Sequence, residues 1–304
     1  MKVFDVIIIG AGPAGVSCAV RCRELRVESR VVVQGVFCKT NSDYNKCKKM
    51  FGVAGFFQGS PDELVEFYRK DLERAQIDVR EGMRVVSVKR KSRYFEVGTE
   101  NDVFGSVAVL VAVGIEGVAR KLGVPGEDGK NVHYAPDDLK NYGRRSVLVV
   151  GGGDTAIEAA VSLSSLGAKV VLSYRGSEFF RVKELNLEQL NQSSVDVRFS
   201  SNVVEIRGKK VILRGADGSL EEVAADDVFV LAGTVRSTKF LKDIGLEVGD
   251  DGNIDYDEGT LETTLPGIFV AGDVTREKQK LIMPAMYQGF IAASSILSYK
   301  AKNQ

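Results

Sequence analysis

Two glycine-rich turns are the residues of this chain whose types and spacing could do chemistry. Gly10-Ala11-Gly12-Pro13-Ala14-Gly15 carries glycine at its first, third and sixth positions. It follows the apolar residues 6–9 and precedes Val16, Ala19 and Val20, which share one helical face. In that setting the first glycine permits a tight turn and the second lets backbone approach a pyrophosphate. The third allows close helix–strand packing, and the helix N-terminus faces the anion. Gly151-Gly152-Gly153-Asp154-Thr155-Ala156 is the variant ending in alanine, between an apolar strand at 146–150 and a helix at 157–166. The turns begin 141 residues apart, too far for a solenoid repeat, which predicts two separate nucleotide-binding domains.

A dinucleotide site usually places an acid at the end of its second strand to hold the ribose. Gln34, 24 positions past Gly10, can accept such a bond without supplying charge. Past the second turn the same offset reaches Tyr174-Arg175, with Arg181 six residues on. An arginine there pairs with a 2′-phosphate, so NADP(H) is expected over NAD(H); the competing reading makes both arginines solvated surface charges. Cys18 and Cys22, at i and i+4 of the first helix, are expected to be packing residues. Cys38 and Cys47 have eight residues between them, and Lys39, Lys46, Lys48 and Lys49 could lower a thiol pKa there. His133, the only histidine, reads as a linker residue. No residue pattern resembles a metal site or a catalytic triad.

The elements that position these residues follow from pattern. Strand 2–9, helix 13–25 and strand 30–33 make a βαβ unit, and the second turn sits in another, closed by Gly167 and strand 169–173. Ser60-Pro61-Asp62-Glu63 opens a helix to about residue 75 with a capping box and an N1 proline. Residues 84–113 alternate like antiparallel strands, ending in the apolar run 107–113. A similar meander is expected from 203–206, 211–213 and 228–231. Residues 122–129 look like a crossing between domains, with 240–246 as the way back. A buried strand at 268–271 and a helix over 283–299 complete the chain.

Lys+Arg and Asp+Glu both count 41, so no basic field concentrates nucleic acid or anionic lipid. The apolar runs fall short of the roughly 18 residues of a membrane span. Asp5 and the first glycines interrupt any signal-peptide core. A cytoplasmic protein is the expectation, and four cysteines are too few for a secreted disulfide scaffold.

Four landmarks in order give the chain its likeness. They are residues 10–15, Val113-Gly114 with Val124-Pro125-Gly126-Glu127, residues 151–156, and Gly267-Ile268-Phe269-Val270-Ala271-Gly272-Asp273. Together they resemble the low-molecular-weight thioredoxin reductase family, whose members carry an FAD domain interrupted by an NADPH domain. The resemblance implies that Asp273 binds the flavin's sugar chain. It also implies an α/β fold of two doubly wound Rossmann-like domains, FAD on 1–116 and 241–304 and the nicotinamide nucleotide on 117–240. Thioredoxin reductases carry Cys-x-x-Cys just before the second glycine turn; here the stretch is His133-Tyr134-Ala135-Pro136-Asp137-Asp138. Its His-Tyr start, its aspartate pair and the later Lys280-Leu281-Ile282 are similar to ferredoxin–NADP reductases of this fold, which use flavin alone. Tyr174-Arg175 departs from their usual pattern.

The expected activity is therefore hydride transfer from NADPH (or NADH) to FAD, then electron delivery to ferredoxin, flavodoxin or a small-molecule acceptor, in a homodimer. FAD is expected on Gly10, Gly12, Pro13, Ala14, Gly15, Gln34, Gly114, Gly272, Asp273, Lys280, Leu281 and Ile282. The nicotinamide nucleotide is expected on Gly151, Gly152, Gly153, Asp154, Thr155, Ala156, Arg175 and Arg181. Two alternatives stand beside it. One is a disulfide reductase using Cys38 and Cys47, in the region where the related glutathione reductases place their flavin-facing disulfide. The other is a flavin-binding sensor without NADPH turnover.

Overall fold

The computed structural model describes residues 2–35, 37–38, 50–115, 117–180, 182–249 and 252–303. These form two compact units: one from the described residues of 1–42, 50–116 and 236–304, the other from 117–235.

The first unit opens with β1 (Val3–Ile9), α1 (Pro13–Glu24) and β2 (Ser29–Val32). Val6, Ile7 and Ile8 are fully buried, because β1 lies inside a parallel sheet covered on both faces. A hairpin of β3 (Met50–Val53) and β4 (Phe56–Gly59) comes next. It leads to α2 (Pro61–Arg74), where the capping box forms as its residues predict. Ser60 N donates to Glu63 Oε2 at 2.6 Å, and Glu63 N donates to Ser60 Oγ at 3.2 Å. Then come β5 (Asp78–Arg80), β6 (Val85–Arg90), β7 (Phe95–Thr99) and β8 (Val103–Val111). The strand order is β5-β2-β1-β8-β7-β6.

The second unit begins at β9 (Gly117–Ala119) and β10 (Val132–His133). Its nucleus is β11 (Ser146–Val150), α3 (Asp154–Ser165) and β12 (Lys169–Ser173), followed by α4 (Glu184–Asn191) and β13 (Asp196–Arg198). An antiparallel meander follows: β14 (Asn202–Arg207), β15 (Lys210–Arg214) and β16 (Leu220–Ala224). The strand expected at 228–231 is β17 (Asp227–Val230), and it does not belong to that meander. It runs parallel between β10 and β11, in the order β10-β17-β11-β12-β13. Its four residues are buried, as a central parallel strand requires, and the meander's third strand is the mostly exposed β16. A short strand, β18 (Thr234–Arg236), pairs with β9.

The first unit resumes with α5 (Lys239–Asp243), β19 (Ile268–Val270) and α6 (Ile282–Asn303). The C-terminal half of β8 pairs in parallel with β19, while its N-terminal half pairs with antiparallel β7. Among the described residues no helix is long and apolar enough to cross a membrane.

Helix α6 packs on α1 at backbone distance. A Cβ on Gly289 would lie 2.1 Å from the Ala14 carbonyl oxygen and 3.1 Å from Cys18 N, and Ser17 Oγ donates to Met286 O at 2.7 Å. Gly289→Ala must push the helices apart. Urea unfolding should show a loss of about 1–3 kcal/mol, the usual cost of overpacking; an unchanged midpoint would show that the contact carries no constraint.

Candidate functional site: two glycine turns at parallel sheet edges

In the first unit three sequence landmarks meet at the carboxyl edge of one sheet. Gly10 follows β1, Gly114 lies three residues past β8, and Gly272 lies two past β19, the three strands being neighbours. Gly10 has φ +108°, and a Cβ there would lie 2.4 Å from Ala112 O. One on Gly15 would lie 2.0 Å from Gly10 O. Gly12 is different: a Cβ would meet nothing within 4 Å. It N-caps α1 without a side-chain hydrogen bond, so no capping side chain covers the start of the helix. That is the arrangement a pyrophosphate needs.

Around Gly272 the donors and acceptors are ordered. Gly272 N donates to Gln288 Oε1 at 2.7 Å, and Thr275 Oγ1 donates to Gly272 O at 2.8 Å. Lys280 Nζ donates to Asp273 O at 3.1 Å and Thr275 O at 2.8 Å. Burial lowers the Lys280 pKa, with Arg236 adding to the effect. Asp273 itself is half-buried, and its carboxylate accepts no hydrogen bond among the described residues. Burial holds its pKa above the ordinary range, against the pull of Lys280 and Arg236. A half-buried acceptor without a donor fits a hydroxyl-bearing ligand, and the open Gly12 turn fits its diphosphate. Gln34 and Leu281 are exposed and Ile282 starts α6.

The cysteines differ from expectation. Cys38 is buried, in a left-handed backbone conformation (φ 51°), and its Sγ donates to Ala11 O at 2.7 Å, inside the first glycine turn. The expected lowering of its pKa by nearby lysines is overturned. Burial pushes the thiol up to about 12, outweighing the opposing pull of Arg69. Cys47, with Lys39, Lys46, Lys48 and Lys49, lies outside the described residues. Cys18 and Cys22 are fully buried with sulfurs 3.9 Å apart, the packing role expected of them.

The second turn repeats the design at the carboxyl end of β11. Gly151 N donates to Ser173 O at 3.0 Å, and a Cβ on Gly151 would lie 2.3 Å from Leu231 O. Gly153 N-caps α3 without a side-chain bond, and a Cβ there would meet nothing within 4 Å. Ala156 is fully buried, filling the position that glycine takes in the first turn. Thr155 is exposed. Asp154 Oδ1 accepts from Lys183 N at 3.0 Å and Asn186 Nδ2 at 2.6 Å, tying the loop after β12 to the start of α3. Arg175 is exposed and pairs with no carboxylate among the described residues; Arg181 lies outside them.

His133 is no linker residue. It belongs to β10, with Nε2 2.9 Å from Asp227 Oδ1 and its ring 4.9 Å from that of Phe229. Arg145 donates to the other carboxylate oxygen of buried Asp227 at 2.7 Å. Sequence spacing could not find this cluster, because its members come from separate segments.

Residues 7–272 match the model of the pyridine nucleotide-disulphide oxidoreductase family. The chain belongs to that family. It is 28% identical to the ferredoxin–NADP reductase of Ignicoccus hospitalis over 97% of each chain. Its fold matches the bacillithiol disulfide reductase of Staphylococcus aureus with a TM-score of 0.89, at 25% identity over 100% of both chains. The thioredoxin reductase of T. acidophilum gives a TM-score of 0.89 at 26% identity, over 98% of this chain and 99% of that one. Further curated relatives, alkyl hydroperoxide reductase F subunits of Staphylococcus aureus, are longer, and the chain spans 60% of their length. The chain is thus a thioredoxin reductase-like flavoprotein and an FAD-dependent oxidoreductase of the α/β two-Rossmann type.

A thiol with a pKa near 12 is protonated at neutral pH and does not attack disulfides. Ellman's reagent should therefore count the same number of fast-reacting thiols in the native protein and in Cys38→Ser at pH 7.5. One fewer in the variant would show Cys38 to be reactive.

Proposed function

We propose that the chain carries electrons from NADPH through FAD to a small redox protein of the ferredoxin or flavodoxin kind, with no thiol relay. The observation that carries this reading is what occupies the stretch before the second glycine turn. Ala135 and the Asp137-Asp138 pair stand there without cysteine, and His133 is committed to Asp227. Cys18, Cys22 and Cys38 are buried, and burial pushes the Cys38 thiol up to about 12. The likeness to a ferredoxin–NADP reductase along nearly the whole of both chains supports the same acceptor class.

In this reading the FAD part is 1–116 with 241–304, and the nicotinamide-nucleotide part is 117–240. Gly10, Gly12, Pro13, Ala14 and Gly15 present backbone to the flavin's diphosphate, with Gln34 at the adenosine end. Gly114, Gly272, Asp273, Lys280, Leu281 and Ile282 hold its sugar chain and ring, Asp273 as hydrogen-bond acceptor. When bound, the flavin accepts a hydride and releases electrons singly or in pairs. Residues 151–156 receive the second dinucleotide's diphosphate, and the exposed guanidinium of Arg175, with Arg181, meets a 2′-phosphate. A homodimer in the cytoplasm completes the assignment.

A second reading has one observation behind it, the match to a bacillithiol disulfide reductase along the full length of both chains. There the acceptor is a small disulfide that reaches the flavin itself.

Anaerobic titration of the holoprotein is the test. NADPH should bleach the flavin at lower concentration than NADH, and Arg175→Ala should cut that preference roughly tenfold, the loss of one charge-assisted contact. Ferredoxin or flavodoxin should then reoxidise the reduced protein faster than low-molecular-weight disulfides do. Faster reoxidation by disulfides would favour the second reading. If neither nucleotide bleaches the flavin, the sensor alternative stands and the reductase reading fails.

A further inference from the structure

The end of β12 holds a residue the foregoing assignment does not use. Tyr174 follows the strand's last residue, and its backbone continues the β12–β13 ladder. Tyr174 N donates to Arg198 O at 2.9 Å, Ser201 N donates to Tyr174 O at 3.0 Å, and Ser200 N donates to Gly176 O at 2.8 Å. The side chain is equally constrained. A Cβ on Gly152 would lie 2.3 Å from both Cδ2 and Cε2 of the tyrosine and 2.5 Å from Cγ. Three ring atoms so nearly equidistant place Gly152 against the ring's face. Phe179 stacks on Tyr174 with centroids 5.6 Å apart and planes 12° apart, and Phe199 meets Phe179 edge-on at 4.9 Å.

The ring therefore lies on the second glycine turn, and only glycine at 152 admits it. Gly176 frames its other end. A Cβ there would lie 2.6 Å from Cε1, 2.8 Å from Cζ and 3.0 Å from the hydroxyl oxygen, so a side chain at 176 would crowd the hydroxyl. Half-buried as the residue is, its hydroxyl makes no hydrogen bond among the described residues. An anchored ring on the dinucleotide turn thus presents one unpartnered polar atom beside it.

We infer that the Tyr174 hydroxyl reads the 2′ position of the adenosine ribose in the dinucleotide bound at residues 151–156. The inference rests on the proposed nucleotide-binding role of that turn. Strand ends at this offset carry the ribose-reading group of such folds, where an acid accepts from the 2′-hydroxyl and repels a 2′-phosphate. A phenolic hydroxyl both donates and accepts. It bonds a 2′-hydroxyl or a 2′-phosphate oxygen alike, and leaves the preference between them to Arg175. Tyr174 is thus a ligand contact common to phosphorylated and plain nucleotides.

Tyr174→Phe keeps the ring, the Phe179 stack and the Gly152 contact, and removes only the hydroxyl. Calorimetric titration of the FAD-loaded protein with NADP⁺, NAD⁺ and 2′-deoxy-NAD⁺ reads binding without turnover. The variant should bind NADP⁺ and NAD⁺ about three- to tenfold more weakly, the worth of one hydrogen bond. Its affinity for 2′-deoxy-NAD⁺ should stay within about twofold of the parent's. Unchanged affinity for all three, or an equal loss for all three, would overturn the inference while leaving the nucleotide site in place. A parent protein that binds none of them would overturn both the site and the inference.

Discussion

Backbone-to-backbone contact through missing side chains is the constraint on which both units depend. At Gly10, Gly15 and Gly289 a single methyl would fall 2.0–2.4 Å from a carbonyl oxygen, and at Gly151 the same holds against Leu231. Those contacts draw a strand end, a helix start and a neighbouring element so close that no side chain intervenes. The outcome is a turn that opens a helix with no side-chain cap at Gly12 or Gly153. A helix start suited to an anion and built from peptide groups is rigid, because the packing that exposes it also fixes it.

The reactive side chains are consumed by the same architecture. Cys38 places its sulfur on the carbonyl of Ala11, so the thiol braces the first turn and is held protonated by burial. His133 and Arg145 share the buried carboxylate of Asp227, which ties β10 and β17 at the opening of β11. Cys38, which reads as a candidate redox thiol along the chain, is a buried brace in the fold, and His133 joins strands. What remains for chemistry among the described residues is backbone, the half-buried carboxylate of Asp273, the exposed Arg175 and the hydroxyl of Tyr174. Such an inventory suits holding and orienting a redox cofactor, which would itself carry the electron transfer.

Much of this was legible in the residues. Both glycine turns, the strands before them, the capping box at Ser60 and the closing helix follow from periodicity and local capping, which act over a few residues. The meander after the second turn is less legible. Val228, Phe229 and Val230 are as apolar as a meander strand, and their parallel seat beside β11 depends on partners about 80 residues away. Strand β16, Leu-Glu-Glu-Val-Ala, buries only Val223 and so has almost no apolar signature. The hairpin of β3 and β4 likewise carried no recognised turn signal.

By itself, the order of amino acids determined that this chain has two glycine-rich turns, each between a strand and a helix, and no Cys-x-x-Cys between them. Those are facts of residue type at short spacing, where glycine's lack of Cβ and cysteine's sulfur act whatever surrounds them. Only the tertiary structure decided that Cys38 is a buried brace, that His133 serves Asp227, and that the Tyr174 ring lies on Gly152. Burial, charge pairing and ring stacking are set by residues distant along the chain, and they come into being only when the sheets are assembled.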